Sequence, residues 1–165
     1  MNEYSSEKLI ESITIALIHQ KRLSDAHEII SSWGKFDKNL YLNLDTIQIA
    51  ITDQYVYRFA KLQHLVGEKI VKLSLEYLKE NTERMPFIEI LNKAQKIGLI
   101  EDTQKWVELR ESRNQIAHDY AFMVEEIIDL FTDLLSKKEL LIAYFEGILF
   151  YLAKRGLIIS KELAK

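Results

Sequence analysis

Apolar residues recur every three or four positions along most of this chain, the spacing that gathers them on one stripe of an α-helix. A first stripe runs through Leu9, Ile13, Ala16, Leu17, Leu23 and Ile30 and stops at Trp33-Gly34. Ser5 or Ser6 stands where a helix cap belongs, and Gly34 where a helix ends in the left-handed region. Residues 35–45, KFDKNLYLNLD, break the period and read as a loop, with Asp45 as N-cap of the next helix. From Thr46 to about Glu80 the positions Ile47, Ile51, Tyr55, Phe59, Leu62, Val66, Ile70, Leu73 and Tyr77 predict one long central helix. Pro86 fits the first turn of a short third helix and Gly98 its stop. Asp102 caps a fourth helix through Trp106, Leu109 and Arg113, and Asp119 caps a fifth. The stretch from Met123 to Arg155 is apolar enough for two helices joined near Ser136 and Lys137, with Gly156 terminating them. Strand alternation, repeats and linkers are missing, so the expectation is an all-α antiparallel bundle of five to six helices, residues 1–165 forming one domain.

Composition narrows the function classes. With 165 residues, 48% of them hydrophobic, the chain can bury a core. It has no Cys, which excludes disulfides, thiolate metal sites and a Cys nucleophile, and fits a reducing compartment. The start, MNEYSSEKLIES, lacks the basic residues and apolar run of an export signal. The apolar stretch Leu140 to Leu152 is interrupted by Tyr144 and Glu146 and falls short of the roughly 18 to 20 residues a membrane span needs. A cytoplasmic protein without membrane contact is expected. The net charge of -3 argues against a broad basic surface, so any contact with RNA requires local positive charge.

One segment carries chemistry: RNQIAHDY, which sets Arg113, His118 and Tyr120 at fixed spacing. Arg offers a permanently charged planar fork for phosphate oxygens, His exchanges protons near neutral pH, and Tyr adds a hydroxyl and a stacking face. Chance placement of six Arg, four His and eight Tyr gives this triple spacing only about 0.007 times in a chain of this length. Positions five apart on a helix lie about 140° apart around its axis, so the helix is expected to end or kink between Arg113 and His118. A His just beyond a helix C-terminus is also favoured in its protonated form. Metal-free RNA cleavage by the 2′-hydroxyl needs a base, an acid and positive charge, whereas one chain supplies one such His. A two-fold homodimer with both copies of Arg113 and His118 in one cleft is the economical solution, and the apolar last helices offer it an interface.

RNQIAHDY resembles the R-x4-H-x-Y motif of HepT-like toxins in the HEPN superfamily, and YRFAKLQHLVGEK, from Tyr57 to Lys69, is similar to the long second helix of that group. The resemblance implies a metal-independent endoribonuclease, homodimeric and without cofactor. It also implies a nucleotidyltransferase antitoxin (MntA-like) that neutralises the enzyme by adenylylating the motif Tyr. Carried onto this chain, Arg113 and His118 are catalytic, Tyr120 is the modified residue, and Asn114 and Asp119 support them. Some members of the superfamily lack nuclease activity, and the alternative reading is a non-catalytic substrate-binding partner of a nucleotidyltransferase.

Other candidates have plainer readings. Gln54, Arg58 and Lys61 fall at i, i+4 and i+7, one polar stripe that is either a solvated face or a phosphate-positioning lining of the cleft. His19, His27 and His64 each lack a second ligand at helical spacing, so no metal is expected and they read as fillers. Trp33 and Trp106 have the phase of core residues, and Lys137 with Lys138 reads as a helix-boundary charge cluster.

Overall fold

The computed structural model describes residues 3–118 and 123–158, with side chains from 6 to 116 and from 123 to 158. The architecture is all-α. Helix α1 spans Glu3–Ser32, α2 Lys38–Leu42, α3 Thr46–His64, α4 Val71–Tyr77, α5 Phe87–Lys96, α6 Thr103–His118, α7 Val124–Ser136 and α8 Lys138–Ala153. Between α3 and α4 the backbone continues without a break through one wider π-helical turn, Leu65–Ile70.

Most of these limits arise from the capping and turn residues that the sequence displays. Asp45 and Gln48 form a reciprocal capping box at the start of α3, the Gln48 N–H donating to Asp45 Oδ1 at 2.8 Å and the Asp45 N–H to Gln48 Oε1 at 3.0 Å. Gly34, Gly98 and Gly156 have φ of 93°, 77° and 89° and let the chain leave α1, α5 and α8. Asp102 Oδ1 accepts from the Gln104 N–H at 2.8 Å and starts α6. Pro86 takes the N-cap position of α5, one residue before the first helical turn. Lys137 is the single hinge between α7 and α8.

Three expectations need correction. Ser5 and Ser6 lie inside α1, which is already helical at Glu3, so neither is its cap. The stretch 35–45 holds α2, capped by Asp37, whose Oδ1 accepts from the Leu40 N–H at 3.0 Å. Phe36, buried against Phe131 with ring centroids 4.4 Å apart, anchors that turn. Helix α6 also runs through Arg113 to His118 without the stop or kink expected between them. The cap expected at Asp119 lies outside the described residues.

The core forms where α1 lies along α3, the π turn and α4, while α6 closes against α3 and α7. Tyr55, Phe59, Leu62, Val66 and Ile70 from the central rod meet Leu9, Ile13 and Leu23 of α1, Trp106 and Leu109 of α6, and Phe145 and Ile148 of α8, all fully buried. The π turn has a packing reason. A Cβ at Gly67 would stand 2.8 Å from Trp106 Nε1 and 2.9 Å from its Cζ2, closer than carbon atoms tolerate. Only glycine lets the indole of α6 lie directly on the rod. Among the described residues no helix is long and apolar enough to cross a membrane.

Candidate functional site

The fold places the candidate residues in two groups. The first is on α6. Arg113 is half-buried, and its Nε is enclosed with no hydrogen-bond partner among the described residues. Arg110, one turn earlier, has the same unmet Nε, stacks its guanidinium 4.8 Å from the Phe87 ring centre, and reaches Glu68 Oε1 only at 3.9 Å. Burial lowers the pKa of Arg113, with Arg110 adding repulsion and Glu68 partly opposing it. Among the described residues the two guanidinium groups thus share the carboxylate of Glu68, leaving local positive charge on a chain of net charge -3.

Asn114 is half-exposed on the same helix, and His118 is its last helical residue. Asp119 and Tyr120 lie outside the described residues. Below this end of α6, Ile116 closes an apolar pocket of about 370 Å³, together with Phe36, Tyr41, Ile49, Val56 and Phe131. The helix is tied down by Ser112, next to Arg113. Its buried hydroxyl donates to Asp133 Oδ2 at 2.7 Å and accepts from Lys137 Nζ at 2.6 Å. Lys137 is therefore a cross-helix clamp, more than the boundary charge its sequence context suggests.

The second group is on α3 and α1. With its amide oxygen toward Arg58, Gln54 accepts from Nε at 2.8 Å and Nη2 at 3.3 Å. The other branch, Nη1, is 3.1 Å from His19 Nδ1. Arg58 and Lys61 flank the half-exposed ring of Tyr57 at 5.1 and 5.5 Å from its centre. Among the described residues no hydrogen bond or ion pair links this cluster to Arg113, so Gln54, Arg58 and Lys61 come together around His19 instead. Sequence reasoning passed over His19 because its partner is 39 positions away, beyond any helical spacing. No group of three or more His, Asp or Glu among the described residues could hold a metal ion.

The family profile for nucleotidyltransferase substrate binding protein like chains matches residues 23–138, from the last third of α1 to the start of α8, which takes in the α6 group and Gln54, Arg58 and Lys61 but not His19. The chain belongs to that family. The nucleotidyltransferase substrate binding protein like family is HEPN-like and pairs with nucleotidyltransferases. No curated protein and no solved structure matches the chain. The substrate binding protein like match includes the whole of RNQIAHDY, so Arg110, Arg113 and Ser112 are all within the region the family defines.

Proposed function

We propose that the chain is a metal-independent endoribonuclease that works as a homodimer and is held silent by a nucleotidyltransferase partner through adenylylation of Tyr120. The observation that carries this reading is Arg113, a half-buried guanidinium with an unmet Nε on the helix that also bears His118. A buried donor without a partner costs stability, and an RNA phosphate would satisfy it.

The continuous helix supports the dimer. Arg113 and His118 stand about 140° apart around α6, so a cleft holding both groups is assembled more readily from two copies than from one. Exposed apolar residues offer an interface: on α8 Leu141, Phe145, Ile148 and Leu152 turn into the core, whereas Phe150 stays exposed. Leu42, Ile47 and Ile49, respectively 60%, 71% and 48% exposed, cluster at the α2–α3 end, and two of them line the same pocket as Ile116.

In such a cleft one His118 takes the proton of the 2′-hydroxyl as its oxygen attacks phosphorus. The bond to the 5′ oxygen breaks, the second His118 protonates that leaving oxygen, and a 2′,3′-cyclic phosphate results. The two Arg113 side chains neutralise the charge on the five-coordinate phosphorus. Adenylylation would attach AMP to the Tyr120 hydroxyl with release of pyrophosphate from ATP, blocking the cleft with bulk and charge.

A second reading is favoured by the family's own description: a non-catalytic partner that presents substrate to the transferase. Cleavage of a fluorogenic RNA in EDTA separates the two. Cleavage lost in His118→Ala supports the ribonuclease. An inert, unmodified wild-type protein that binds the transferase moves the assignment to the second reading.

A further inference from the structure

The α1–α3 cluster has the make-up of an anion site that the Arg113 chemistry does not use. Arg58 is fixed on both sides, donating to Gln54 through Nε and Nη2 and to His19 through Nη1. A guanidinium has five N–H groups, so two remain open on its outer edge. Because His19 Nδ1 accepts, its proton sits on Nε2, giving a further donor. Arg22 and Lys61 add charge around the same imidazole. Among the described residues none of Arg22, Arg58 and Lys61 is ion-paired, whereas Lys21, Lys38, Lys93 and Lys137 each hold a carboxylate. Freely solvated cations would spread apart. Arg58 and Lys61 are held together at a half-exposed aromatic ring.

We propose that Arg58, Lys61, Arg22 and His19 bind the phosphate of a nucleotide whose base rests on Tyr57, at a site separate from Arg113. The cluster is compact enough for one phosphate and one base, the combination that cationic grooves with stacking aromatics take up from single strands. The nucleotide is either free or one unit of an RNA strand.

The test is titration calorimetry of the full chain at low salt in EDTA, with ATP, pyrophosphate and a short single-stranded RNA as separate titrants. At least one nucleotide ligand binds, and Lys61→Gln and Arg58→Gln each weaken it about tenfold, while Lys96→Gln, an exposed lysine of α5 outside both groups, changes it less than about twofold. Lys61 is exposed, so Lys61→Gln keeps the fold even if Arg58→Gln does not. Binding of ATP alone identifies a free nucleotide, and binding of RNA alone identifies a strand. Tyr57→Ser weakens the nucleotide and leaves pyrophosphate unchanged; equal losses overturn the role of the ring. No binding of either ligand, or binding that depends on Arg113 and ignores Arg58 and Lys61, overturns the site. A chain that binds through Arg58 without cutting RNA keeps this inference and removes the ribonuclease. A chain that cuts RNA with no binding loss in these variants does the reverse.

Discussion

The ammonium of Lys137 donates to the hydroxyl of Ser112 over 2.6 Å, joining the α7–α8 hinge to the helix that carries Arg113. Asp133 completes the clamp, 2.7 Å from the same hydroxyl and 3.0 Å from the ammonium. Ser112 is buried, so Ser112→Ala removes the bridging hydroxyl and leaves its partners under-satisfied. The expected cost is about 1 to 2 kcal/mol, seen as a Tm lower by roughly 2 to 6 °C in thermal unfolding followed by circular dichroism. An unchanged Tm would show that the clamp contributes nothing.

Gly67→Ala forces a methyl group to within 2.8 Å of the Trp106 indole, which is fully buried and cannot swing away. Overpacking of this kind costs about 1 to 3 kcal/mol, and urea unfolding would show a lower midpoint with an unchanged slope. Gly147→Ala is the control, since nothing lies within 4 Å of a Cβ there.

Arg113 is expected to behave in the opposite way. Its Nε is buried without a partner and Arg110 repels it, so Arg113→Met leaves stability within about 0.5 kcal/mol of wild type or raises it. RNA cleavage by the same variant falls at least about a hundredfold, and Arg113→Lys recovers little because an ammonium lacks the planar fork. A variant that loses both stability and activity would mark Arg113 as a structural residue.

Two imidazoles are held below the ordinary 6.5. Burial is the largest cause for His19, followed by Arg58, Lys61 and Arg22, and for His27 burial is followed by Lys138 against an opposing pull from Glu139. Below 6.5 the unfolded chain therefore binds more protons than the folded one. Their contribution to stability is complete above that pH and declines as pH falls through the folded values. NMR titration should find His19 titrating below 6.5 and moving upward in Arg58→Gln. A bound phosphate moves it upward as well, so nucleotide affinity at the α1–α3 face rises as pH falls. A His19 that titrates at its ordinary value in the free protein contradicts this account.

Where local chemistry decides an element, the residues announced it. Asp45, the glycines Gly34, Gly98 and Gly156, and the hinge at Lys137 depend on neighbours within a few positions, which is the range over which caps and turns operate. The features that escaped depend on distant partners. The π turn exists beside an indole 39 residues further on, and the period of apolar residues through Val66 and Ile70 does not reveal one extra residue in a turn. Helix α6 continues to His118 because Ser112 and Ile116 are packed against other elements, which overrides any local tendency to stop. The candidate residues were named from type and spacing alone. Their division into an α6 group and an α1–α3 group required the third dimension.

The wider turn at Leu65–Ile70 also sets how the gene can change. Such a turn carries one residue more than the α-helical path beside it. Removing one residue between 65 and 70, Gly67 apart, would restore a regular helix and leave the later side chains on the faces they now occupy, so Val71, Ser74 and Leu75 would stay buried. The same deletion in the regular part of α3 would swing every later side chain by about 100° and take those three out of the core together. The π turn is thus the place in the central rod where the gene can lose a residue, and the loop around Asn81–Arg84, which lies between helices, the place where it can gain one.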